Sequence, residues 1–222
     1  MNKNLIYFLS LFFITSCKNS TDCDFVTEDC GKFIKTVDFE AATVNTVDSW
    51  TGINAHVNIV YYPQSNNKSL QLIDGNGTSS VYKVGVLPSN LLATGCKLYY
   101  DVSLNLQNTS TDIGVIMFDN NIYLNSIYKA TFRLNADHLV NGDGLFQTIV
   151  APLELANNGK LPSNEYGQWE ISPSSTPQND VQNFNHLIQN SSGIAFTTDI
   201  PGKSGAVFYI DNIKIKTCCP TF

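Results

Sequence analysis

The stretch Val207-Phe-Tyr-Ile-Asp-Asn-Ile-Lys-Ile-Lys216 reads as a long strand with one slip in it. Apolar residues alternate at Phe208 and Ile210, shift by one position, and resume at Ile213 and Ile215. A strand repeats every two residues, so the odd gap marks one inserted residue, a β-bulge at Asp211-Asn212. The segment is expected to be the last strand, half buried, with a carboxylate at its bulge. Such a carboxylate suits a structural ion or a hydrogen-bonded corner.

The same period recurs through the chain. Cys96 to Gln107 alternates most cleanly, with Leu98, Tyr100, Val102, Leu104 and Leu106 on one face. Lys97, Tyr99, Asp101, Ser103, Asn105 and Gln107 occupy the other face. Further strands are expected at Lys35–Glu40, His56–Tyr62, Ser69–Leu72 and Val81–Val86. Ile113–Phe118 is apolar on both faces, and Ser126–Leu134, Leu145–Leu153, Gly167–Ile171 and Gly193–Phe196 follow. Turn chemistry separates them, as in Asp74-Gly-Asn-Gly77 and Asn120-Asn121. Helical spacing occurs at Val181–Gln189, where Phe184, Leu187 and Ile188 predict one or two turns. Roughly ten to twelve short strands without a βαβ rhythm predict an all-β antiparallel sandwich in one domain.

Composition narrows the setting. Apolar residues make up 43% of the 222-residue chain, enough for a sizeable core. Charged residues make up only 14%, against roughly 25% in ordinary soluble domains. Asn, Ser, Thr and Gln must therefore supply the polar surface, as in extracellular β proteins. The net charge is −6 and no basic run occurs, which speaks against nucleic-acid binding.

The N-terminus reads as a targeting segment. Lys3 precedes the ten-residue apolar run Leu5–Ile14, which is too short for a mature membrane span. Residues 1–16 are thus expected to be a signal peptide, 17–33 a short tether, and 34–222 the folded domain. Five cysteines remain after Cys17: Cys23, Cys30, Cys96, Cys218 and Cys219. Neighbours in sequence stand about 3.8 Å apart at Cα, too close for the usual disulfide span, so Cys218 and Cys219 are not expected to pair with each other. Pairing both with Cys23 and Cys30 leaves two connectivities, each stapling the start of the domain to its last strand. A local Cys23–Cys30 bridge with a reduced tail is the competing arrangement. Either bridge implies an oxidising compartment.

Ile14-Thr-Ser-Cys17 resembles a bacterial lipobox. The resemblance implies cleavage before Cys17 and a membrane anchor through its lipid. Lys18 followed by Asp22 and Asp24 resembles the export signal of Bacteroidetes-type surface lipoproteins, which implies an outer-membrane location, exposed at the cell surface.

Val37-Asp-Phe-Glu40, Trp50, Lys68-Ser-Leu-Gln-Leu72 and Phe208-Tyr-Ile-Asp-Asn-Ile213 follow one another in an order that resembles galactose-binding-like jelly rolls. Those include carbohydrate-binding modules and laminin B-type modules. The resemblance implies a jelly-roll sandwich, a glycan as partner, and a structural Ca2+ shared between the first and last strands. Carried over, the metal ligands are Glu40 and Asp211, with carbonyls near the Lys68 turn completing the shell.

A sugar site needs ring faces for stacking and polar groups for hydroxyls. The polar face of the Cys96–Gln107 strand offers Tyr99, Asp101, Asn105 and Gln107, and Trp50, Tyr62, Tyr123 and Trp169 are candidate platforms. Solvated strand and buried tryptophans are the plainer alternatives. His56, His138 and His186 lack metal-ligand spacing. Neither a nucleophile elbow nor a phosphate loop is present. Glu154, Glu165 and Glu170 lack the close strand spacing of jelly-roll glucanases. The expected function is a non-catalytic carbohydrate-binding lipoprotein. A protein-interaction subunit of an envelope complex is the second expectation, and a polysaccharide-degrading enzyme the third.

Overall fold

The computed structural model describes residues 33–75, 78–87, 97–105, 112–120, 122–135, 144–191, 193–199 and 207–216. For Ile34, Asn105, Asp112 and Asp199 only the backbone is described. Gln107, the leader with Cys17, and Cys23, Cys30, Cys96, Cys218 and Cys219 lie outside these residues.

The chain folds as an antiparallel jelly-roll sandwich. One sheet, here sheet A, contains β1 (Phe33–Val37), β3 (Ala55–Tyr61), β4 (Lys68–Asp74), β6 (Lys97–Asn105), β9 (Gln147–Pro152) and β13 (Val207–Lys216). Sheet B contains β2 (Thr51–Ile53), β5 (Ser79–Val84), β7 (Asp112–Phe118), β8 (Lys129–Leu134), β10 (Ser163–Asn164), β11 (Gly167–Ser172) and β12 (Gly193–Asp199). Sheet A runs β3-β4-β13-β6-β9, and sheet B runs β10-β11-β8-β7-β12-β5-β2.

The bulge expected in the last strand is present, and it has an architectural cause. β13 pairs with β4 over Val207–Ile210, then with β1 over Ile213–Lys216. The partner changes at Asp211-Asn212. On its other edge β13 faces β6, with Asp211 opposite Asp101 and Lys214 opposite Tyr99. Asn212 and Ile213 together therefore face Tyr100, and Asn212 takes a positive φ of 49°. Asn tolerates that left-handed region better than most residues. The insertion returns Ile213 and Ile215 to the interior, where they are 1% and 0% exposed.

Inward alternation from both sheets fills the core. Ile59, Leu70, Leu98 and Ile149 of sheet A meet Val115, Phe132, Val81 and Ile194 of sheet B, all of them buried. Each such side chain contributes roughly 1.5–3 kcal/mol by leaving water. Two runs of rings cross the layer. Phe39, Trp50, Phe196 and Tyr100 touch in sequence at 6.0, 6.0 and 5.2 Å between centroids. Phe132, Trp169 and Phe184 touch at 5.3 and 5.4 Å.

Phe184 belongs to α1 (Pro177–Asn190), which buries Leu187 and Ile188 beside it. This 14-residue helix is about twice the length expected from the apolar spacing alone. Its N-terminus explains the difference. Thr176 accepts a hydrogen bond from the Asn179 backbone N–H, Pro177 opens the first turn, and Asp180 faces the positive end of the helix dipole. Those signals lie upstream of the first buried residue.

Candidate functional site: a groove on the outer face of sheet B

Antiparallel pairing lines up two rows of side chains on the outer face of sheet B. One row is Ser80, Thr197, Gly114, Arg133 and Gln168. The adjacent row is Tyr82, Ala195, Ile116, Thr131 and Glu170. Small residues at the centre keep the floor low. A Cβ at Gly114 would stand 2.7 Å from the Phe132 carbonyl oxygen, so a larger residue there forces the strands to shift.

Above this floor two cavities lie side by side. One, of about 300 Å3, is lined by Gly114, Ile116, Tyr123, Lys129, Thr131 and Thr197, among others. The other, of about 380 Å3, is lined by Asn135, Ser163, Asn164 and Gln168 together with their neighbours. Arg133 lines both, so the two cavities adjoin at its side chain and are treated together as one groove.

The polar groups of the groove are organised. Arg133 Nε donates to Glu170 Oε2 at 3.0 Å, and Gln168 Nε2 donates to Glu170 Oε1 at 3.2 Å. The Arg133 and Glu170 side chains are both about two-fifths exposed, so the ion pair itself adds little stability. Its value is positional: the Glu170 carboxylate holds the Arg133 guanidinium, which lines both cavities. Ser80 Oγ donates to Thr197 Oγ1 at 3.1 Å.

The Tyr123 ring stacks on Tyr82 at 5.4 Å between centroids, and the Lys129 ammonium sits 4.7 Å from its centre. Burial pushes the Tyr123 phenol above its ordinary value, opposed by a hydrogen bond with Ser80. The phenol is therefore neutral at physiological pH. With its ring engaged, recognition in this groove falls to hydrogen-bonding groups. Vicinal sugar hydroxyls, each both donor and acceptor, match a guanidinium beside a carboxylate.

The residues expected from sequence to bind ligand are dispersed. Trp50 and Trp169 are each 2% exposed and belong to the core, so neither offers a ring face to a sugar. This corrects the platform expectation: Trp169 is packed by Phe132 and Phe184, and its indole N–H donates to the Pro152 carbonyl. Tyr99 and Asp101 lie on the outer face of sheet A. Tyr99 meets Phe33 edge-on at 5.7 Å. Asp101 accepts from Thr148 Oγ1 at 2.6 Å and from Asn212 Nδ2 at 2.9 Å. Asn105 ends the same strand, and Gln107 lies beyond the described residues.

Of the ring platforms expected from sequence, Tyr123 lines this groove; the groove's strand residues carry a signal too, which reading one strand at a time does not pick out. Lys129, Thr131 and Arg133 alternate with Ala130, Phe132 and Leu134, as cleanly as the polar face of β6 does. Which of several polar strand faces lines a groove depends on strand order, which single-strand patterns do not contain.

Glu40 and Asp211 both flank the start of β4, and both are engaged by N–H donors. Glu40 Oε1 accepts from the Lys68 backbone N–H at 3.1 Å. Asp211 Oδ2 accepts from Asn67 Nδ2 at 3.1 Å, and Oδ1 from the Asn212 backbone N–H at 2.7 Å. Among the described residues no cluster of three or more His, Cys, Asp or Glu side chains is placed to hold a metal.

No family model matches the chain, and no curated protein matches it. Solved structures do resemble it. An exo-beta-agarase superposes with a TM-score of 0.57 at 18% identity, over 84% of this chain and 26% of the agarase. This chain thus spans about a quarter of that enzyme's length. The family 11 carbohydrate-binding module of a Clostridium thermocellum cellulosomal cellulase superposes with a TM-score of 0.51 at 14% identity, over 86% of this chain and 97% of the module. The family 11 module from Clostridium thermocellum in complex with a beta-1,3-1,4-mixed-linked tetrasaccharide gives 0.50 at 15% identity, over 83% of this chain and 96% of the module. At these identities the likeness is one of fold.

Proposed function

We propose that the protein is a non-catalytic carbohydrate-binding module that holds a polysaccharide chain in the groove on the outer face of sheet B. The observation that carries this reading is Arg133, which lines both of two adjoining cavities and is held by Glu170. The folds it resembles include a carbohydrate-binding module solved in complex with a beta-1,3-1,4-mixed-linked tetrasaccharide, which supports the same reading. Among the described residues no carboxylate lines either cavity, and Glu170, the carboxylate beside them, is paired with Arg133. Glycoside hydrolysis ordinarily needs two carboxylates, which favours binding over turnover. The chain is further proposed to be exported and held at the outer membrane through a lipid on Cys17.

Affinity gel electrophoresis against agarose, mixed-linkage β-glucan and xylan tests this proposal. Retardation on at least one of them, abolished by Arg133→Ala, is expected. Absence of retardation on all three and on a wider glycan panel would sink it.

A second reading has its own observation. Ile122, Leu124 and Ile127, beside Tyr123, are 50%, 64% and 75% exposed. Three aliphatic side chains on one rim suit a protein partner. Co-purification of an envelope protein that is lost on Leu124→Ser and Ile127→Ser, with no glycan retained, would favour that interaction role.

A further inference from the structure

The two strands that share one edge of β13 meet end to end at its bulge, and that meeting point needs a fastener. β4 stops pairing at Ile210 and β1 starts at Ile213. The chain leaves β1 through a turn in which Phe39 has a φ of 59° and the Ala42 N–H donates to the Phe39 carbonyl at 2.9 Å. This turn aims two carbonyls at one point. Lys68 Nζ occupies that point, donating to the Glu40 carbonyl at 2.7 Å and the Ala42 carbonyl at 2.8 Å. The Lys68 backbone N–H donates to the Glu40 carboxylate, and Asn67 reaches across to Asp211.

We propose that the Lys68 ammonium takes the place of a structural divalent cation at this junction, so that the sandwich is complete without Ca2+. A Ca2+ ion takes six to eight oxygens at about 2.3–2.6 Å. Here the carbonyls of Glu40 and Ala42 are held by an ammonium, and the Glu40 and Asp211 carboxylates are engaged by N–H groups of residues 67, 68 and 212. A divalent ion entering this cage would have to displace a cation already covalently attached to β4. The oxygens therefore do not fit the Ca2+ that the family resemblance implies. One ammonium offers three protons and one charge to the carbonyls of the turn. It joins the turn after β1 to the first residue of β4, while Asn67 beside it joins β4 to the bulge.

Thermal unfolding of the full protein tests the proposal in two arms. In the wild type, Tm in 1 mM EDTA and in 1 mM CaCl2 should agree to within about 1 °C. Lys68→Met keeps the stem and removes the charge; its Tm should fall by about 5 °C or more in EDTA. A wild-type Tm that drops in EDTA overturns the proposal, as does Lys68→Met unfolding like the wild type. Should Lys68→Met fail to fold, terbium luminescence on the wild type decides: saturable sensitised emission overturns the proposal, and its absence supports it.

Discussion

Asp211 and Asp101 stand directly opposite each other across β13 and β6, and asparagines hold them both. Asn67 donates to Asp211 and Asn212 donates to Asp101, so two like charges share one cross-strand site within a fixed set of amides. Like charges directly opposite are ordinarily destabilising. Burial is the larger effect at Asp211, which is 3% exposed. Burial foremost raises its pKa from 3.8 to about 6, with smaller upward pushes from Asp101 and Glu40; donors from Asn67 and Asn212 act in the opposite direction.

A pH dependence follows from that direction. Between about pH 4 and pH 6 the folded chain keeps a proton that the unfolded chain has released. The contribution of Asp211 to stability is therefore complete below that window and is lost as pH rises through it. Tm measured from pH 4 to pH 7 should show this fall in the wild type, and Asp211→Asn should lack it. Parallel Tm profiles in the two proteins would contradict the assignment.

Trp169 separates packing from recognition. As a core residue between Phe132 and Phe184, its replacement by Ala should cost about 3–5 kcal/mol in urea unfolding. Glycan affinity of the remaining folded fraction should be unchanged. A stable variant with lost affinity would instead make Trp169 a ligand platform.

Tyr100 carries a hydroxyl that burial leaves without a hydrogen-bond partner. Burial also pushes its pKa upward, so the hydroxyl stays protonated. Tyr100→Phe keeps the edge-on contact with Phe196 and removes the unsatisfied group. Its Tm should equal or exceed that of the wild type. A loss of more than about 1 kcal/mol would contradict this.

Fold and site were legible in the sequence to different degrees. Period-two alternation reports which way a side chain points, so it located Leu98, Tyr100 and Val102 in the core and placed the bulge at Asp211-Asn212. It does not report what lies across from a side chain. Trp169 and Tyr99 could each have been platforms on pattern alone; tertiary packing buried one and set the other against Phe33. Glu170 was weighed as a catalytic acid, yet its partner Arg133 lies 37 residues earlier, on a strand whose neighbour only the sheet order reveals. The Lys68 ammonium was equally hidden, because its contacts are to backbone carbonyls, which carry no side-chain signature.

The groove assignment meets its most direct test in a titration of whichever polysaccharide the wild type retains, run in parallel on Arg133→Ala and Tyr99→Ser. The first substitution removes a guanidinium from the outer face of sheet B; the second alters the outer face of sheet A. Arg133→Ala should weaken binding about tenfold or more, with Tyr99→Ser within about twofold of the wild type. Wild-type affinity in Arg133→Ala together with loss in Tyr99→Ser would contradict the account and move the site to the opposite sheet.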